Sequence, residues 1–478
     1  MTRKPLLDAS QRKTVLGHVK ALLRAPMSEE DESPILDSVR AALDRRELLL
    51  DAADRFGAPC YVLSERDLVQ RAREFQQAFD AAALRTEVFY AYKANDLPYL
   101  CRRLHREGLG AEVVSGMELQ LALALRCDRI LFNGPAKSDE ELRLTARHAD
   151  RVWLHIDHDF ELDRIRRLNL KSRCPIRAAV RIDPGPEIGG VWRKFGVSPN
   201  EAVKLIRRIV RTPGLAWEGL HGHLSWNTEP TPYRKLIRIF ARVLRGLTQP
   251  ERSRLRSLDL GGGFYPPGDG ARLADLPEGR IILAAEKEAG RELTARRVLF
   301  EKRAGIEEYA RDITDEVRRS ILSIPGIAQD IALRFEPGRW LVNHAVGILV
   351  SVVTRKRRDI VLVDGGVHLT HDGRMQEEYH SIVNLSRPGR SPRERKCQVF
   401  GPMCDPNDRW GETCWGEVPA PGDRLWIANM GAYGSSSAMR FLFPLAPYIL
   451  LAEDGSMRKL TDRESFRHRY PSEWFKNT

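Results

Sequence analysis

From about residue 85 to residue 340 the chain alternates short β-branched or aromatic runs with longer charged segments of helical period. The runs are Val88–Tyr92, Ala111–Val114, Ile130–Phe132, Val152–Ile156, Ile176–Ile182, Trp217–His221, Leu258–Leu260 and Ile331–Phe335, eight in all. Between them, segments such as Met117–Leu125 and Pro199–Arg211 predict helices. Strand–helix alternation implies parallel strands joined by helical crossovers. Eight such units over about 250 residues fit a closed (β/α)8 barrel better than an open, doubly wound sheet. After Arg339 the texture changes. Val346–Thr354, Asp359–Asp364, Cys397–Phe400 and Asp423–Ala428 read as strands parted by Gly and Pro turns. The expected organisation is a helical extension over 1–50, a barrel over 51–340 and a β-rich domain over 341–478. A segment opening with Pro266-Pro267-Gly268-Asp269-Gly270 interrupts the unit between the last two barrel strands and reads as an insertion over about 266–303.

Composition excludes some functions. Lys and Arg number 77 against 65 Asp and Glu, a net charge of +12. The two densest basic runs, Arg355-Lys356-Arg357-Arg358 and residues 387–396, carry no interleaved aromatics and no recognisable binding motif. They read as solvated loops rather than a nucleic-acid surface. No stretch approaches the ~18 consecutive apolar residues of a membrane span, and Met1-Thr2-Arg3-Lys4-Pro5 leads into no apolar signal core. Seven scattered cysteines with no C-x-x-C pair argue against a disulfide framework or a structural zinc site, and point to the reducing cytoplasm.

In a barrel of this type the reactive groups gather where strands end. Lys93 directly follows the first strand, and a lysine in an apolar pocket can form a Schiff base, although an isolated one at a strand end is usually a solvated terminus. His223 follows the sixth strand, where a lone histidine is more often a hydrogen-bonded core residue. Gly261-Gly262-Gly263 follows the seventh and exposes backbone N–H groups to an anion, without the spacing of a dinucleotide fingerprint. Glu336-Pro337-Gly338-Arg339 follows the eighth. Together these provide an amine, a phosphate cradle, a flat ring and a carboxylate, which are the groups pyridoxal 5′-phosphate requires.

At this point the chain resembles the fold-type III decarboxylases, the group holding the diaminopimelate and ornithine decarboxylases. The resemblance rests on Tyr92-Lys93-Ala94-Asn95, Ala111-Glu112-Val113-Val114-Ser115, Asn133-Gly134-Pro135-Ala136-Lys137-Ser138, Lys194-Phe195-Gly196, Gly261-Gly262-Gly263-Phe264 and Glu336-Pro337-Gly338-Arg339. In the second domain it rests on Asp364-Gly365-Gly366, Gly401-Pro402-Met403-Cys404-Asp405 and Gly431-Ala432-Tyr433-Gly434. It implies a barrel of the alanine-racemase type followed by a β domain, pyridoxal phosphate as cofactor, an amino acid as substrate and a homodimer with shared active sites. By the same resemblance Lys93 would carry the cofactor and His223 would lie against its ring. Ser225, Gly261, Gly262, Gly263, Gly338 and Tyr433 would hold the phosphate, and Glu336 would pair with the ring nitrogen. Cys404, from the partner chain, would protonate the α-carbon, while Arg339, Arg374, Tyr379 and Asp405 would face the substrate. Racemases of this fold place an arginine at the ring nitrogen, so Glu336 points to decarboxylation; a racemase and a silent regulatory homologue are the alternatives. His223-Leu224-Ser225-Trp226 replaces the family's His-x-Gly-Ser, and Asp372 to Tyr379 is a poor match to the segment that binds a distal carboxylate. The substrate stays open between a diamino acid and an amino-acid conjugate.

Overall fold

The computed structural model describes residues 33–82, 84–185, 188, 194–267, 270–272, 298–299, 303–370, 378–390 and 392–475, with a few helical positions between 10 and 17. Most of 1–32, nearly all of the expected insertion and Arg374 lie outside the described residues.

Eight parallel strands close into a barrel: Thr86–Ala91, Gly110–Val113, Ile130–Phe132, Val152–Ile156, Ile176–Arg181, Leu215–His221, Ser257–Asp259 and Ala332–Phe335. The last pairs with the first through Leu333 and Thr86, and with the seventh through Ala332 and Ser257. Ile130, Leu131 and Phe132 are all buried, as expected of parallel strands covered on both faces. The crossover helices begin where the local chemistry directs. Ser138 with Glu141, and Ser198 with Glu201, form capping boxes that open Asp139–Arg147 and Pro199–Val210. Helix Glu65–Asp80 seals the gap beside the closing strand, with Phe75 and Phe79 packed on Phe335 and Phe264.

The second domain is a nine-stranded sheet ordered 360–363, 394–400, 409–415, 382–384, 424–427, 346–357, 60–64, 448–451 and 457–461. Strand 60–64 corrects the expected boundary at residue 51. Cys60–Leu63 pair antiparallel with Val346–Leu349, and Tyr61–Ser64 pair parallel with Tyr448–Leu451. The chain therefore begins in the β domain, passes through the barrel and returns. Helices Ser33–Asp44 and Arg46–Phe56 lay Ile35, Val39, Ala42, Leu49 and Ala53 against Leu349, Trp415 and Ile449, so this part of the extension belongs to the β domain's core. Strand Gly270–Arg272 pairs with Val298–Leu299 and with Glu378–Tyr379, tying the two ends of the insertion to the second domain. Among the described residues no helix is long and apolar enough to cross a membrane.

Candidate active site

The C-terminal ends of the barrel strands gather the polar residues of the interior. A three-residue turn, Tyr92–Ala94, caps the first strand and turns Lys93 into a cleft between barrel and β domain. The β domain clamps this turn: Tyr433 N–H donates to the Ala94 carbonyl at 2.7 Å, and the Ser436 hydroxyl donates to the Lys93 carbonyl at 3.1 Å. Lys93, His223, Ser225, Gly263, Glu336, Gly338, Arg339 and Tyr433 all line this cleft, joined by Ala91, Trp226, Phe264 and Tyr265.

Lys93 Nζ donates to Glu112 Oε2 at 2.9 Å. Burial alone would lower the lysine's proton affinity, but the Glu112 charge reverses this and holds the ammonium above its ordinary range. Asn133, the residue after the third strand, donates from Nδ2 to Glu112 Oε1 at 2.9 Å and to Glu336 Oε1 at 2.7 Å. Burial pushes the Glu336 carboxyl up, yet His221, 3.5 Å away, and the Lys93 charge hold it well below the usual carboxylate range. His223 Nδ1 accepts the Gly262 N–H at 3.2 Å. Burial lowers this imidazole to about 4, so it is neutral near pH 7 with its proton on Nε2. Beneath Glu336 lies a buried floor. His155 and His221 stack tilted at 4.6 Å, and His155 Nε2 lies 3.8 Å from Asp259 Oδ2. Burial pushes both histidines down and Asp259 up, so these groups favour their neutral forms.

The residues fit pyridoxal phosphate. Glu336 Oε2 is buried with no hydrogen-bond partner, and a protonated ring nitrogen would satisfy it. Gly263 has φ +91°, and a Cβ there would meet the Leu224 carbonyl oxygen at 2.1 Å, so only glycine lets the backbone run along the cleft wall. At Gly338 a Cβ would come within 2.9 Å of Ala94 Cβ, so glycine lets the eighth strand's end approach the Lys93 turn. Of the glycine run only Gly263 lines the cleft; the Gly261 N–H is taken by Asp259 Oδ1 at 2.9 Å and that of Gly262 by His223. Ser225 and Trp226 both line the cleft, Trp226 with φ +54° and 63% exposed, a backbone state that bulky residues adopt only under constraint.

Other expected residues stand elsewhere. Tyr379 does not line the cleft. Its hydroxyl donates to Glu394 at 3.0 Å and accepts from Trp415 Nε1 at 3.0 Å, and its ring belongs to the β domain's own core. Cys404 is exposed and Asp405 half-buried, and neither lines the cleft of its own chain. Their loop is pinned from below by Asp408, whose carboxylate accepts the N–H groups of Val367 and Met403 at 2.8 and 2.7 Å. Arg339 forms a two-pronged ion pair with Glu378, at 2.9 and 2.8 Å, and its guanidinium lies 5.0 Å from the Tyr265 ring centre and 5.4 Å from that of Tyr433. Glu112 and Asn133 received no role from sequence reasoning. The signal for Glu112 was a charged residue inside an otherwise apolar strand.

The family described as pyridoxal-dependent decarboxylase, pyridoxal binding domain, matches residues 65–343, more than half of the chain. The diaminopimelate decarboxylase of Methanothermobacter thermautotrophicus is 28% identical over 432 residues, covering 87% of this chain and 92% of that protein. That of Actinosynnema pretiosum is 29% identical over 456 residues, covering 88% and 92%. The fold superposes on diaminopimelate decarboxylase from M. jannaschii in complex with L-lysine, with a TM-score of 0.70 at 24% identity, over 88% of this chain and 92% of that one. It also superposes on lysine/ornithine decarboxylase from Vibrio vulnificus in complex with putrescine, with a TM-score of 0.64 at 22% identity, over 85% and 98%. The lysine, the carboxylate and the glycine turn lie within the matched segment, and the chain belongs to the pyridoxal-dependent decarboxylases, acting on an amino acid with pyridoxal phosphate as cofactor.

Proposed function

We propose that this decarboxylase removes the α-carboxylate of a diamino acid and works as a homodimer whose two sites each draw on both chains. The observation that carries the reading is the meeting, in one cleft, of the Lys93 amine and the partnerless, buried oxygen of Glu336. Pyridoxal phosphate, when bound, supplies a conjugated ring that accepts the electron pair left as carbon dioxide departs. Lys93 would hold the cofactor covalently and release it to the incoming amine, with Glu112 stabilising its charged form. Glu336 would keep a proton on the ring nitrogen, and a carboxylate there strengthens the electron sink. Neutral His223 would lie against the ring, and Gly263, Ser225, Gly338 and Tyr433 would cradle the phosphate. The Cys404 thiol of the other chain would return a proton to the α-carbon.

Two features support the partner and the substrate class. Met439, Phe441 and Leu442 are exposed on one β-domain loop, at 37%, 44% and 55%, Met117 of a barrel helix, 79% exposed, lines one pocket with Ala438 and Arg440 of that loop, and a second copy would cover such apolar surface. Arg339 is already neutralised by Glu378, so a distal carboxylate would have to compete with Glu378 for it, whereas a distal ammonium would not. The cysteine usage supports a reducing, cytoplasmic setting. The test is carbon dioxide release from a panel holding diaminopimelate, lysine, ornithine, arginine and their conjugates in both hands. A diamino acid should lead the panel; release only from mono-amino acids would contradict the reading.

A further inference from the structure

Glu112 and Glu336 come from opposite sides of the barrel's seam, yet their side chains end in one buried pocket, with residue exposures of 0% and 1%. Two carboxylates enclosed together repel, and burial favours a proton on one of them. Lys93 answers only one oxygen of Glu112. His221 and His223 each come within 3.5 Å of Glu336, but the group that links the two carboxylates is Asn133, itself 2% exposed and fixed by its own N–H to the Val113 carbonyl at 2.9 Å. A side-chain amide nitrogen has two hydrogens, and here one goes to each carboxylate. Its Oδ1 is buried without a partner, so the orientation is set by the two carboxylates; a flipped amide would turn an oxygen onto both of them.

We propose that Asn133 is a positioning residue: by donating one N–H to Glu112 and the other to Glu336, it keeps both carboxylates ionised in the same pocket, one for Lys93 and one for the cofactor ring. The inference rests on the roles given above to Lys93 and Glu336, but it concerns the carboxylates themselves. Asn133 touches neither reacting atom. It acts by making the lysine's counter-ion and the ring's partner compatible. Hydrogen bonds to charged groups are about twice as strong as neutral ones, so the loss of one donor shared by two anions falls on both.

The test uses Asn133→Leu, which keeps the volume without a donor, and Asn133→Asp, which keeps the shape and adds a third acid. Infrared difference spectra of the holoenzymes against the wild type read the carboxylates directly. Both variants should show the band of a protonated carboxyl, and the Asn133→Leu band should vanish when Glu112→Gln or Glu336→Gln is added, whichever residue holds the proton. The visible band of the bound cofactor should shift, and turnover should fall about a hundredfold, the scale of removing one preorganised donor, while KM changes much less. If the Leu variant fails to fold, the near-isosteric Asp variant carries the test. A folded variant with the wild-type carboxylate and visible spectra would overturn the proposal and leave Asn133 a packing residue. Borohydride labelling of Lys93 in the same samples separates that failure from a failure of the site assignment, because a cofactor on another lysine changes the labelled peptide and not the infrared result.

Discussion

The barrel mouth and the Cys404 loop are built to opposite rules. At the mouth a half-buried lysine and two buried carboxylates are tied to one another: Lys93 to Glu112, Glu112 to Asn133, Asn133 to Glu336. At the loop the backbone is pinned by Asp408, but the Cys404 side chain faces outward. These links all lie within one chain, and they leave Glu336 Oε2 buried and open to a donor from the cofactor. On the function proposed above, cofactor binding would belong to the single chain, whereas proton return to the substrate would depend on assembly.

Substitutions should divide along this line. Lys93→Ala should have the largest effect, lowering turnover by at least about 10⁴-fold, the scale of losing a covalent nucleophile. Borohydride reduction followed by peptide mapping should place the pyridoxyl label on Lys93 in the wild type. Glu336→Gln should come next, at about 10³-fold in turnover, with most of the cofactor retained because the phosphate cradle is untouched; wild-type turnover in this variant would remove the ring-protonation role. Cys404→Ala should cost about a hundredfold in turnover, with cofactor content and absorbance unchanged. If Cys404→Ala instead loses cofactor, the loop is not the separate half described here.

The smallest effect is on stability. Burial pushes the Glu118 carboxyl up to about 7, with Glu112 adding to the shift and the Val114 N–H opposing it. Because its folded pKa lies above its unfolded one, the folded state holds this proton more tightly, and the stabilisation is full below about pH 4.5 and fades as pH rises through about 7. Melting temperature should therefore drop between about pH 5 and pH 8, and Glu118→Gln should flatten that slope while keeping the Val114 hydrogen bond. An unchanged slope in the variant would show that another group titrates there.

The eight barrel strands were legible because parallel strands covered on both faces read as unbroken apolar runs, as in Ile130–Phe132. Lys93, His223 and Glu336 were legible because each sits just past such a run. Strand 60–64 was not, since its apolar pattern says nothing about partners near residues 346 and 448; pairing across such separations is a property of topology. Tyr379, given a substrate role only through the resemblance, has its hydroxyl occupied by a tryptophan and a glutamate thirty-six and fifteen positions on, partners that local sequence does not show. Asn133 stands in one of the segments that carry the resemblance, yet its role was not legible, because its meaning lies in two carboxylates twenty-one and more than two hundred positions away.

The proposed division between a barrel half held within one chain and a loop that needs a neighbour is tested most directly by mixing two dead proteins. Lys93→Ala and Cys404→Ala chains, each severely impaired alone, are dissociated and reassociated together. Random pairing makes half of the dimers mixed, each with one of its two sites carrying both residues, so activity should return to roughly a quarter of the wild-type value per chain. If mixed dimers form, shown by tags of different mass, and activity stays at the level of the parents, the sites are not shared and Cys404 serves its own chain or none.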